Sequence, residues 1–391
     1  MKKSSKVLAV GMVAALGLAA CGSDDDGGDE TETTEAAGEE TESTEAMEEE
    51  TESTEAMEDE GEEAATTEAA EGDESGETAS GDICEVTDVG GVDDKGFNQI
   101  AFEGAQQAAA DLGVEAKVLE SASDADYATN IQSFIEQDCA LIVTVGFLLG
   151  DATAEAATNN PDQQFAIIDF GYEEPLDNVL TLNFSMAEPS FVAGYLAAGM
   201  TETGTVATYG GINIPPVTVF MDGFVKGVEY YNTEKGTDVT ALGWDGSDGT
   251  FAGNFENLDD GKNIASSFAD EGADVIFPVA GPVGLGSSAY AAENEGIRII
   301  GVDSDLVESN SSESQVYLTS VLKKIDEAVI AAANQVIGEG TPGGEYLGTL
   351  ENEGTGLAPY HEQEGDVPDE LKTEVEDLIA ALIAGDVTVD G

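Results

Sequence analysis

The chain has 391 residues, 41% of them hydrophobic, enough for two lobes with real cores. Its formal net charge is −70, from 82 acidic and only 12 basic residues. That balance excludes nucleic acid and anionic membrane surfaces as partners, because both call for clustered Lys and Arg.

The chain opens with Met1-Lys-Lys-Ser-Ser-Lys6, then an apolar stretch from Val7 to Ala20. The stretch has signal-peptide length and is short for a membrane span. It ends in Leu18-Ala-Ala-Cys21, which resembles a bacterial lipobox. The implied product is cleaved after residue 20 and anchored through an acylated Cys21. Residues 21–82 are low-complexity Glu, Thr, Ser, Ala and Gly, with Thr41–Met47 repeated at Thr51–Met57. Such a stretch cannot build a core and its like charges extend it, so it reads as a disordered acidic tether. It carries no base, and beyond it 55 acids face nine bases, leaving the folded part itself near −46. Self-repulsion of that size favours a salt-rich medium.

From Ile83 onward short apolar runs alternate with helical periodicity. The pattern predicts strand 83–88, helix 98–112, strand 115–119, helix 126–137, strand 140–145, helix 150–159, strand 165–169 and strand 179–183. Ile131, Phe134 and Ile135 share one helical face, and Leu141-Ile-Val-Thr-Val145 reads as a strand covered on both sides. After a helix at 187–201 the pattern restarts: strand 204–209, helix 217–231, strand 238–243, helix 258–271, strand 274–279, helix 284–295, strand 297–302 and strand 316–319. A helix at 321–337 follows. The last helix has Pro368 inside its start and Gly385 past its end. Alternating β and α means an α/β protein with mostly parallel sheets, here two doubly wound lobes in series.

Between the first strand and helix lies Val86-Thr-Asp-Val-Gly-Gly-Val-Asp-Asp-Lys-Gly-Phe-Asn98. A glycine pair lets backbone approach a guest, and carboxylates, an amine, a ring and an amide crowd behind it. Loops at the carboxyl ends of strands are where α/β folds hold small molecules. This loop is therefore expected to form one wall of a ligand cleft.

Separated segments make the pattern specific: Thr87 to Asn98, Val145-Gly-Phe147, Asn160 to Asp169, Gly211-Ile-Asn-Ile-Pro-Pro-Val217, Gly301-Val-Asp-Ser-Asp305 and Thr319-Ser-Val-Leu-Lys323. In this order they resemble the basic membrane protein family, whose members include purine nucleoside receptors feeding ABC transporters. The resemblance spans about residues 83–350. It implies a type I periplasmic-binding-protein fold, with a ligand cleft between lobes and three chain crossings near 184–190, 320–325 and 340–350. One lobe would comprise 83–186 plus about 321–345, the other 187–320 plus about 346–391.

The same resemblance implies the ligand set. Phe97 and Phe255 would sandwich a base, although Phe251 competes with Phe255 for that part. Asp88 and Asp169 would meet the base edge beside Asn98, and Gly281 would admit the ligand. Asp303 and Lys323, the latter opening a helix, would grip ribose hydroxyls, with Asp305 and Lys324 as neighbouring alternatives. Gly96 departs from the serine usual in the family.

The implied protein is a monomeric, lipid-anchored extracytoplasmic binding protein that hands purine nucleosides to an ABC permease and is not an enzyme. Neither a cofactor nor a metal is implied. Gly281-Pro-Val-Gly-Leu-Gly286 has the wrong spacing for a dinucleotide loop. The only histidine, His361, lies in a polar stretch, which disfavours histidine catalysis. Cys84 and Cys139 open neighbouring strands at one end and are expected either as a disulfide or as two buried thiols. The competing readings are a binder of sugars or signalling molecules, and a surface antigen or adhesin without a transported ligand.

Overall fold

The computed structural model describes residues 81–390. The expected leader, the Cys21 anchor and residues 21–80 of the expected tether lie outside the described residues. In chain order the elements are β1 (Ile83–Val86), α1 (Phe97–Leu112), β2 (Ala116–Leu119), α2 (Asp124–Ile135), β3 (Leu141–Val145), α3 (Gly150–Asn159), β4 (Gln164–Ile168) and β5 (Val179–Phe184). There follow α4 (Ala187–Met200), β6 (Thr205–Gly210), α5 (Pro215–Lys235), β7 (Thr240–Leu242), α6 (Leu258–Asp270), β8 (Val275–Val279), α7 (Val283–Glu293), β9 (Arg298–Asp303), α8 (Leu306–Ser309) and β10 (Tyr317–Lys323). The chain ends with α9 (Ile325–Ala333), β11 (Gly344–Gly348), β12 (Thr355–Leu357) and α10 (Asp369–Ala384).

The strands form two six-stranded sheets, ordered β11-β5-β4-β3-β1-β2 and β12-β10-β9-β8-β6-β7. The orders correspond strand for strand, so β1 matches β6 and β4 matches β9. All pairs are parallel except β12 against β10. Both faces of each sheet are covered, which is why β1, β3 and β8 are buried along their whole length. In the first lobe α1 and α9 cover one face and α2 and α3 the other. In the second lobe α4, α5 and α10 lie on one side, α6 and α7 on the other. Helix α4 is buried nearly all round because α5 and α10 enclose it.

The chain crosses between sheets after β5, between Lys323 and Ile325, and between β11 and β12. Two differences from the periodicity matter. The helix expected at 321–337 starts only at Ile325, because Val321, Leu322 and Lys323 pair with β9 and β12. Lys323 thus ends a strand rather than opening a helix. Strand β11, unseen in the sequence, extends the first sheet to Gly348, so that lobe comprises 83–186 and 324–348. Pro368 sits just before α10 rather than within it. Asp82, placed in the expected tether, is already held: its carbonyl accepts from the Ala140 N–H at 2.9 Å and its carboxylate pairs with Lys117 at 2.5 Å.

Cys84 and Cys139 form a disulfide, with Cα atoms 6.1 Å apart. It ties β1 to the turn after α2, on the face of the sheet that α2 and α3 cover.

Candidate functional site

The carboxyl ends of β1, β4, β8 and β9 converge on a cleft between the lobes. All eight residues expected to bind ligand line it: Asp88, Phe97, Asn98, Asp169, Phe255, Gly281, Asp303 and Lys323.

The loop after β1 is shaped by Asp94. Its carboxylate accepts from the N–H groups of Gly96, Asn98 and Gln99 at 2.9, 2.8 and 3.1 Å, satisfying the first turn of α1. Asn98 is locked by the same network. Its Nδ2 donates to Asp94 at 3.1 Å and to the Val89 carbonyl at 3.4 Å, while its Oδ1 accepts from the Asp88 N–H at 3.2 Å. The amide expected to meet the ligand has both hydrogens directed into the loop, so it builds the wall. Position 96 faces open space; Asp94 supplies the cap.

Asp88 accepts on Oδ1 from its neighbour's N–H, Val89, at 2.7 Å and from the Tyr127 hydroxyl of α2. Burial pushes its carboxyl above the usual range, against the hydrogen bonds from Tyr127 and Val89. At the other end of the cleft, Asp169 follows β4 and Asp303 ends the corresponding strand β9. Both adopt left-handed backbone, with φ of 62° and 66°, a conformation that aspartate tolerates better than most residues and that clusters at functional sites. Between them stands Lys323, 3% exposed, its Nζ 2.6 Å from Asp169 and 3.8 Å from Asp303. The same Nζ lies 5.1 Å from the ring centres of Phe97 and Phe220. Burial raises the Asp303 carboxyl to about 6; the Lys323 charge opposes this, and the charges of Asp169 and Asp94 add to it.

Asp169, expected beside Asp88 at a base edge, is thus grouped with Lys323 and Asp303. Strand β3 lies between β4 and β1, which puts two strand spacings, roughly 9–10 Å, between the two ends of the cleft.

The competing candidates separate cleanly. Phe255 lines the cleft, whereas Phe251 stacks edge-on to Trp244 with ring centres 5.9 Å apart. Asp305 caps α8 through the Val307 N–H and holds His361 Nε2 at 2.7 Å, away from the cleft. Gly281, at φ 52°, leaves only the Phe255 ring near the place of a Cβ, at 3.9 Å. Periodicity did not flag Phe147, Phe220 or Tyr127. Phe220 reads as an ordinary core position of α5, and only the packing of α5 on the second sheet brings it to Lys323.

The lobes also touch directly. The Ser304 and Ser309 hydroxyls donate to the Lys95 carbonyl at 2.7 and 2.8 Å. Among the described residues no helix is long and apolar enough to cross a membrane, and no cluster of three metal-ligating side chains occurs.

Residues 83–378 match the family described as ABC transporter substrate-binding protein, PnrA-like. A Listeria monocytogenes protein named CD4+ T-cell-stimulating antigen is 32% identical over 325 residues, covering 78% of this chain and 87% of the relative. The ABC transporter nucleoside-binding protein BmpA of Lactococcus lactis is 31% identical over 326 residues, with the same coverages. Among solved structures, an ABC transporter solute-binding protein from Aeropyrum pernix superposes with a TM-score of 0.71 at 27% identity, covering 78% of this chain and 92% of that one.

Proposed function

The chain belongs to the PnrA-like substrate-binding proteins of ABC transporters, and from that premise we propose that it captures purine nucleosides for import. The family is one of binding proteins, not enzymes, and it implies a small-molecule ligand and a permease partner. The observation that carries the nucleoside reading is the composition of the cleft along its length. Aromatic rings from both lobes line it, Asp88 stands at one end, and Asp169, Lys323 and Asp303 stand at the other. Flat faces suit a heterocyclic base, with stacking worth roughly 1–3 kcal/mol per ring. A lysine flanked by carboxylates suits vicinal hydroxyls, which both donate and accept.

Charge refines the substrate class. Four carboxylates line the cleft against a single lysine, and that lysine is already paired. A phosphorylated ligand would meet net negative potential, so nucleosides are favoured over nucleotides. The ligand contacts are assigned to Asp88, Phe97, Asp169, Phe255, Gly281, Asp303 and Lys323, with Asn98 supporting the loop. Capture proceeds by closure of the two lobes. The protein acts as a monomer on the outer face of the membrane, held by an acylated Cys21 and an acidic tether.

A thermal-shift panel tests this with purine nucleosides, pyrimidine nucleosides, nucleotides, free bases and common sugars. At one hundred times its dissociation constant a ligand adds about 2.7 kcal/mol, a rise of roughly 4 °C for this many residues. A rise with purine nucleosides alone is the expected outcome. A rise with sugars, or with no compound in the panel, removes the nucleoside assignment.

A further inference from the structure

The hydrogen bond from α2 to the cleft is unlike the others around the site, because its donor does not line the cleft. Tyr127 is 3% exposed and packs its ring into the apolar cluster with Ile131, Phe134 and Leu149. Only its hydroxyl reaches Asp88, where it joins the Val89 N–H on Oδ1. The second oxygen, Oδ2, lies over Gly146, where an added Cβ would come within 2.7 Å of it. Among the described residues no donor reaches Oδ2. The carboxylate is therefore clamped on one oxygen and left open on the other, at the end of the cleft far from Lys323.

We infer that Tyr127 is a positioning residue that sets ligand selectivity: by occupying Oδ1 it presents Oδ2 of Asp88 as a charged acceptor, so the site prefers purine nucleosides with an N–H donor on the base edge. The inference rests on the purine nucleoside reading. A charged acceptor strengthens a hydrogen bond from such a donor about twofold relative to a neutral one, and it repels a ring nitrogen lone pair. Without the phenol, Asp88 loses one of the two bonds that favour its ionised form and takes up a proton more readily in its buried place. The neutral acid is then free to turn and donate, which suits an acceptor edge. Two other carboxylates lie near Asp88. Of these only Glu256, on the loop before α6, raises its carboxyl through charge; Asp94 shares its loop and the cleft, with its carboxylate turned onto the first turn of α1. Gly146 and Phe147, after β3, carry no charge.

Two ligands separate the possibilities: inosine, whose N1–H donates, and purine riboside, whose N1 accepts and whose C6 carries no substituent. Titration calorimetry of the full protein is expected to show the wild type preferring inosine by at least about tenfold. Tyr127→Phe keeps the ring in the core, and its preference is expected to shrink towards parity. Its inosine affinity should also fall more steeply than that of the wild type as pH is lowered. Asp88→Asn supplies an independent arm. With Tyr127 and the Val89 N–H still donating to Oδ1, the amide NH2 faces the cleft and the preference inverts to purine riboside; in the Tyr127→Phe/Asp88→Asn double variant only the Val89 N–H still orients the amide and the inversion is weakened. An inosine preference that survives Tyr127→Phe, with both ligands weakened equally, overturns the role of Tyr127 and leaves the nucleoside reading standing. A wild type that binds neither ligand overturns both.

Discussion

Glu85 occupies the middle of β1, directly under the ligand loop, and is fully buried with no hydrogen-bond partner for either oxygen. Its neighbours across the sheet are Val118 and Val143. As the residue two after Ile83 it shares that side chain's face, beneath α1 and α9. Burial raises its carboxyl well above the model-compound value of 4.5, and the charge of Asp94 adds to the effect. The folded protein therefore holds this proton to a higher pH than the unfolded chain does. Stability from that difference is present in full below the unfolded value and is lost as pH rises towards the folded one. Glu85→Gln removes this titration and keeps the shape, so the downward slope of stability above pH 4.5 should become shallower in this variant. Glu85→Leu also removes the unpartnered polar atoms, whose desolvation costs about 1–3 kcal/mol. The leucine variant should accordingly melt roughly 2–5 °C higher at neutral pH. Differential scanning calorimetry of the three proteins across pH provides the measurement. A slope unchanged by Glu85→Gln, or a leucine variant less stable than the wild type, refutes the reasoning and shows that the carboxyl has a compensating partner.

Lys323→Met leaves Asp169 and Asp303 side by side without their shared cation, and ligand affinity should fall by at least about 30-fold, as for a truncated buried charge pair; calorimetry with the ligand identified by the panel reads it. Because Asp303 titrates near 6, binding through its ionised form should weaken as pH falls through that value, and an Asp303→Asn variant that keeps the same bend would exclude Asp303 as its source. Opening the Cys84–Cys139 bridge, which closes a loop with a sequence separation of 55, should cost up to about 4 kcal/mol in the chain-entropy model, read as a lower unfolding midpoint of the double alanine variant. Ser304→Ala/Ser309→Ala removes both donors to the Lys95 carbonyl, and stopped-flow release should quicken about tenfold while association changes little; equal changes in both rates would argue that these hydroxyls do not hold the closed form.

Much of the fold was legible along the chain because its signals are local. Apolar runs such as Leu141–Val145 and helices ending in glycine report on their own neighbourhoods, and alternating them forces parallel sheets. Boundaries set by pairing were not legible. Nothing in Val321-Leu-Lys323 marks it as strand rather than helix until β9 and β12 lie alongside, and the weakly apolar β11 becomes a strand only because β5 offers an open edge. The candidate residues could be named from sequence because the family resemblance supplied them, and Asp88, Asp169, Gly281, Asp303 and Lys323 lie at or just past strand ends, where a doubly wound fold gathers its loops. Their division of labour could not. Asp303 and Asp305 are two residues apart and chemically identical, yet one turns into the cleft at left-handed backbone while the other caps α8 and holds His361. Asn98 appears free to bind until Asp94 and Asp88 are seen to use its amide, and Tyr127 reads as core until its hydroxyl meets a carboxylate 39 positions earlier. Sequence by itself determined which chemistry this protein carries and in what order. Only the tertiary structure decided which atoms remain unpaired to face a ligand, because that depends on the partners long-range packing brings to each side chain.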